Sequence, residues 1–550
     1  MEMENNKALE PESVPHVPTV PMPNYTYAPY EPKPLFDLKG GDTAFAVTAV
    51  AASVILSIFG LFGGFALGYS IAAVLMIGTF LVYFAEQAKA SVSAVVYGVL
   101  SLANSAVFIN TTNGSVKFFA FVVGFLLALS CFDGMVNGPS KGNRGTLDVF
   151  FGAASTLGNI AAAVKSLFAD KNGGKKTFGK VLLGLLCALP ALVVILPLLM
   201  SSDDAFRGMM NNIFENTAAT VFKTVFGVGL SVFVVTYGFS LKARRTVWMP
   251  EGKFGGIENV YVISFLSAIA VCYVMYLFSQ LAYFFSAFQG FLPNGEITYA
   301  QYARKGFFEM CVIAVINLGL VFAALLLSKK KNGKVCYALR AITTFISLFT
   351  LIIIATALSK MVLYIGTYGM TVLRLTTSAF MVFLGVVFVS MILRIYCLKI
   401  NVVKTALITA GCVIVVLGAL NVNAVCAKYN YESYINGKLN SIDVAAMHGL
   451  GDEGIPYLTE LAYDENEDVA LRAQEYLAEA YIYDYFEDMR DLETFTADTL
   501  KQHRKDKNFG HYSVPKAKAY EALYKFLEDN PTFDSESRGY LHLKNNDEFF

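Results

Sequence analysis

The stretch GPSKG at 138–142 fits the G-x-S-x-G pattern that exposes a nucleophilic serine. That chemistry needs a strand-to-helix turn and a histidine to take the hydroxyl proton. The five histidines, His16, His448, His503, His511 and His542, all lie in the terminal regions, so Ser140 has no base within the apolar region. No H-E-x-x-H, zinc-ligand spacing, EF-hand loop or P-loop occurs anywhere. The eight cysteines lie in or beside apolar stretches without a C-x-x-C pair, and read as small packing residues. The expectation is a protein that is not an enzyme, with no catalytic residue, no cofactor, no metal and no nucleic-acid partner.

Polar groups at the edge of apolar segments are the remaining candidates. In ITYAQYARKGFFEM (297–310), Tyr299, Tyr302, Arg304 and Glu309 crowd a boundary where desolvation is costly. Seven residues make nearly two helical turns, which puts Tyr299, Tyr302 and Glu309 on one face. On the same side of the membrane stand Lys360, Tyr368, Arg374, Asn421 and Asn423, and together these residues form a candidate polar vestibule. Interfacial anchoring accounts for the tyrosines. It accounts less well for Glu309 and Arg374, which touch apolar runs; one reading pairs them with each other across two spans, and another pairs Glu309 with Lys305, four residues before it. Deeper in the membrane, Gln280 and Asn317 read as interhelical hydrogen-bonding groups, or as the floor of a solute path.

The elements that hold these residues follow from composition. Of 550 residues, 55% are hydrophobic and 16% charged, with a mean hydropathy of +0.51. Soluble domains carry about 25% charged residues, so the chain reads as a membrane protein. Residues 1–40 are proline-rich, without an apolar run, and read as a disordered cytoplasmic tail. The transmembrane domain is assigned to 41–426. Crossing a bilayer takes about 20 apolar residues. Eleven spans meet that need: 44–62, 65–85, 91–110, 116–135, 180–200, 221–241, 259–285, 307–328, 338–358, 375–396 and 403–424. The segment near 146–168 has apolar residues at helical spacing on one side only, and reads as an interfacial amphipathic helix.

Charge sets the orientation. Lysines and arginines fill the loops at 141–180, 241–245, 328–334 and 394–404, which the positive-inside rule makes cytoplasmic. The amino terminus is then inside and residues 427–550 outside. That last segment has 13 basic and 25 acidic residues, whereas the first 426 have 30 and 18. It reads as an acidic, helical, repeat-like domain. A single pair of helices cannot bury both faces, so the domain is expected to lean on neighbours.

Three ordered motifs, TYAQYARKGFFEM, YIGTYGMTVLR and NVNAVCAKYN leading into IDVAAMHGLGDEGIPYL, resemble an uncharacterised bacterial family of multipass membrane proteins. That family is a domain of unknown function, frequent in Gram-positive bacteria, and the likeness runs from about 40 to 465. Cys426 stands where an aliphatic residue is expected. The resemblance implies a bacterial plasma membrane and an extracytoplasmic tail, and assigns no activity. The fold class is therefore an all-α polytopic membrane protein with a C-terminal soluble helical domain. Two functions remain open. One is a non-enzymatic envelope, sensing or assembly protein whose helical domain meets a protein partner, with membrane lipid around its spans. The other is a secondary transporter or channel entered through the polar vestibule.

Overall fold

The computed structural model describes residues 36, 38, 40–89, 91–138, 142–167, 195, 198–199, 201–203, 217–246, 256–288, 307–330, 335–397, 399–485, 497, 500–501 and 511–530. Among them the regular elements are helices, apart from one isolated β-bridge between Ile257 and Ser328. Before the C-terminal helical domain come α1 (Gly40–Ile55), α2 (Leu67–Phe84), α3 (Val92–Asn110), α4 (Gly114–Asn137), α5 (Gly142–Ser155) and α6 (Ile160–Leu167). There follow α7 (Thr217–Lys242), α8 (Asn259–Phe288), α9 (Phe307–Leu327), α10 (Tyr337–Tyr368), α11 (Val372–Tyr396) and α12 (Val402–Leu420). The domain itself contains α13 (Val422–Ile435), α14 (Val444–His448), α15 (Ile455–Leu461), α16 (Glu467–Tyr485) and α17 (Val514–Asp529).

Polar side chains start several helices by accepting the N–H groups that the first turn leaves open. Asn113 accepts from Val116 at 3.0 Å, Asn401 from Lys404 at 2.9 Å and Asp443 from Ala446 at 2.9 Å. Glycine ends others: Gly138 and Gly369 follow α4 and α10 with φ of 83° and 78°, where a side chain is strained. Gly138 therefore closes a helix, and GPSKG joins two helices rather than a strand to a helix. Ser140 itself lies outside the described residues.

The helices pack as two groups. Phe45, Phe80, Phe84, Phe132 and Phe239 centre one on α1–α4 and α7, which α12 also joins. Phe307, Ile346, Phe349, Met381 and Phe388 centre the other on α8–α11. Packing of α11 on α12 connects them. Among the described residues eleven helices are long and apolar enough to cross a membrane, by length and composition. They include 147–167, and the expected span 180–200 lies mostly outside the described residues. The 147–167 segment is broken by a 3-10 turn at Thr156–Asn159. Both of its halves meet the end of α7. Asn159 Nδ2 donates to Ser240 Oγ at 3.1 Å, and Gly152 faces Thr246.

Two of the helix ends that differ from the sequence expectation bear on the site. α10 continues past 358 to Tyr368, and its 32 residues extend about 48 Å at 1.5 Å each. This carries Lys360, Tyr364 and Tyr368 beyond a 30 Å hydrocarbon layer's worth of helix. α12 stops at Leu420, because Asn421 adopts φ 53°. The apolar run continues through the break, so hydropathy alone places the end too late.

Candidate functional site at the domain junction

Four connections meet the helical domain at one end of the bundle: the α1–α2 corner, the α3–α4 loop, the α10–α11 turn and the α12–α13 joint. At the corner, Leu67 N–H donates to the Tyr512 carbonyl at 3.1 Å, and His511 lies against Gly64. Apolar contact accompanies the polar one. Tyr69, Val107, Phe108, Val116, Ala120 and Leu417 from the bundle form one core with Val422, Met447, Leu458, Leu477, Leu523 and Phe526 of the domain.

The joint is built on Asn421 and Asn423, both nearly buried. Asn421 caps α13 by accepting from Ala424 N–H at 3.3 Å, and its Nδ2 donates to the Asn110 carbonyl at 2.7 Å. Asn110 returns the contact, donating to the Gly418 and Ala419 carbonyls at 2.7 and 2.9 Å. The Gly418 carbonyl also accepts from Asn421 N–H at 3.3 Å, so the end of α12 is closed from both sides. Asn423 Nδ2 donates to the Leu450 carbonyl at 3.0 Å, and its Oδ1 accepts from Asn113 Nδ2 at 2.8 Å. Glu453, 5% exposed, accepts from Thr112 N–H at 2.9 Å and from the Thr112 hydroxyl. A buried carboxylate needs such donors, since unpaired it is expensive to desolvate. Lys117 adds a favourable charge nearby.

The α10–α11 turn is held from the domain side. Asn430 Oδ1 accepts from Met370 N–H at 2.7 Å, and its Nδ2 donates to the Met370 carbonyl at 2.8 Å. Arg374 Nη1 donates to the Gly369 and Tyr368 carbonyls at 2.5 and 3.3 Å, and its guanidinium lies 4.1 Å above the Tyr364 ring. A cation on the last carbonyls of a helix is favoured by the helix dipole. Arg374 is thus the C-terminal cap of α10. Cys426 is fully buried close by, and burial pushes its thiol up to about 12 against the opposing influence of Arg374.

The vestibule residues therefore separate. Asn421 and Asn423 sit inside the junction and face the domain. Tyr368 is exposed at its edge. Glu309, exposed on the first turn of α9, has Lys360 as its charged neighbour, and no ion pair among the described residues joins it to Arg374. The expected Glu309–Arg374 pair is corrected accordingly: the α10 carbonyls and the Tyr364 ring already occupy the guanidinium. Tyr299, Tyr302 and Arg304 lie outside the described residues. Gln280 lies on α8. Asn317 is fully buried and ties three helices, accepting from Tyr273 OH at 2.6 Å and donating to Thr350 Oγ1 at 2.9 Å.

Sequence reading missed a second polar cluster at the opposite end. Asp42 pairs with Lys242 at 2.6 Å and accepts from Tyr83 OH at 2.8 Å, with the ammonium 4.4 Å above the Tyr83 ring. Asp133, 7% exposed, accepts from Asn137 Nδ2 at 2.8 Å. It lies inside the expected span 116–135, so a census of charges within spans would have found it.

Fold and junction together define an integral membrane protein: an all-helical multipass bundle with a helical domain seated on one end. Within that class, the chain belongs to the family described as Domain of unknown function (DUF4153), whose model matches residues 43–461. The match takes in the helices apolar enough to cross a membrane and the domain through α15, including Asn421, Asn423, Asn430 and Glu453 of the junction, and stops before His511 and Tyr512. Comparison with curated proteins and with solved structures returns no match.

Proposed function

We propose that this is a non-enzymatic protein of the bacterial plasma membrane that holds its helical domain outside the cell for contact with a protein partner in sensing or assembly. The observation that carries this reading is the core shared between α2–α4, α12 and the domain. Such seating fixes a surface in one orientation relative to the membrane, which is what a recognition platform requires. The domain also keeps large side chains in solvent, with Tyr463 61% and Leu471 45% exposed. The test is complementation of a deletion strain with Leu471→Asp and Tyr463→Ala. Loss of function with an undiminished amount of folded protein supports the reading. Full complementation by both variants sinks it.

A second reading, a secondary transporter or channel, draws on Asp133. An ionisable side chain within a membrane-spanning helix is a functional candidate by default. Under that reading Asp133→Asn abolishes uptake of a solute while the surface variants leave it intact.

A further inference from the structure

Helix α8 packs mainly on α10, and over its first turns a groove of about 230 Å³ opens between it and the end of α9. Tyr261, Phe265 and Leu266 form one wall, and Leu320, Ala323 and Leu327 the other. The small side chain of Ala323 leaves the space. Leu266 is buried at the floor, whereas Tyr261 and Phe265, one turn apart, are 70% and 57% exposed. The lining is apolar throughout, and both walls belong to helices apolar enough to span the membrane.

The mouth has a different chemistry. A backbone clip closes the end of the groove: the Leu327 carbonyl accepts from Gly256 and Ile257 N–H at 3.1 and 3.2 Å, and Lys329 N–H donates to the Ile257 carbonyl at 3.1 Å. The clip sets Lys329 and Lys330, both exposed, beside the opening, and Lys331 and Lys334 follow in the sequence. Glu258 meets Lys329 at 3.3 Å, but both side chains are more than half exposed, so that pair holds the lysine weakly.

We propose that this groove binds one anionic phospholipid, such as phosphatidylglycerol. One acyl chain lies between α8 and α9, and the phosphate meets Lys329 and Lys330. Charge complementarity argues for this occupant: its phosphate sets a negative charge against the exposed ammonium of Lys329, while its acyl chain meets the apolar lining. Juxtamembrane lysines each strengthen binding of acidic lipid several-fold.

The test uses the full-length protein purified in detergent, with added phosphatidylglycerol or phosphatidylcholine of identical chains, read by native mass spectrometry. The wild type is expected to retain one phosphatidylglycerol at least tenfold more tightly than phosphatidylcholine. Lys329→Gln with Lys330→Gln, a surface change that leaves folding intact, is expected to abolish that preference. Ala323→Trp fills the groove and is expected to lose both lipids, with gel filtration and a melting curve showing that it is folded. Equal retention of the two lipids by the wild type overturns the proposal, as does a double lysine variant that keeps the wild-type preference. A lipid-free dimer of the wild type would mean that a second copy covers the groove, and also overturns it.

Discussion

Asn430 clasps the backbone of Met370 from both sides, accepting from its N–H at 2.7 Å and donating to its carbonyl at 2.8 Å. One side-chain amide thus does for the α10–α11 turn what a neighbouring strand does for a sheet edge. It also joins two of the three sequence motifs, YGMTVLR and NVNAVCAKYN, which are separated by 60 residues.

Asn430→Ala leaves both Met370 groups unpaired and is expected to destabilise the protein by about 1–3 kcal/mol. Gly369→Ala is expected to cost a similar amount, since φ is 78° and a new Cβ would meet Asn430 Oδ1 at 2.6 Å. Melting curves of the purified protein measure both. Because the residues share one contact, the double variant should cost less than the sum. Strict additivity would show that the clasp contributes nothing.

Glu453→Gln replaces a charged acceptor by an amide and is expected to weaken seating of the helical domain by about 1.5–3 kcal/mol. Thr112→Val removes the hydroxyl partner and should weaken it less, because the Thr112 N–H remains. Limited proteolysis of the domain reads the effect: cleavage within α14–α16 should quicken in both variants, most in Glu453→Gln. Cleavage at the wild-type rate in Glu453→Gln would remove Glu453 from the joint.

Cys426 offers a direct probe of undocking. A thiol shifted up to about 12 is protonated through the physiological range, and its reactive thiolate appears only as pH approaches that value. In a variant retaining Cys426 alone, maleimide labelling at pH 7 should be very slow in the wild-type background and faster with Glu453→Gln. Rapid labelling of the intact protein would contradict the burial.

Arg374→Lys keeps the charge but loses the planar stack on Tyr364 and the fork to two carbonyls. It is expected to cost about 1 kcal/mol, and Arg374→Gln more. Glu309→Gln, at an exposed site, should fall within about 0.5 kcal/mol of the wild type. The losses should add in Arg374→Gln with Glu309→Gln. A recovery in that double variant would restore the ion pair expected from the sequence.

Orientation is checked with fusions. Alkaline phosphatase at Phe550 should be active and the same enzyme after Lys331 silent, as the basic loops require. The reverse result would invert the topology.

Ten of the expected spans were legible because crossing hydrocarbon imposes a length and a composition that a window of the chain reveals; 147–167, read as interfacial, also meets both demands, and 180–200 lies mostly outside the described residues. α9 and α11 lie within three residues of their expected bounds. The end of α12 was not legible, since Val422, Ala424 and Val425 prolong the apolar run past the bend at Asn421. Asn421 and Asn423 were read as candidate vestibule residues, because polar residues at a boundary look alike whether they face water or a docked domain. Their partners, Asn110, Asn113 and Leu450, are set by tertiary packing. Arg374 was misread for the same reason: capping a helix and pairing with a carboxylate both call for a cation next to an apolar run. Asp42 and Lys242 lie 200 residues apart, and no local pattern connects them.

Only Asn421 separates α12 from α13. One residue reaches at most about 3.6 Å, so this connection works as a crank and not as a tether. A turn of α12 about its axis must swing the helical domain, and a pull on the domain must load α3 through Asn110. Load on the helical domain therefore passes straight into the bundle through this joint.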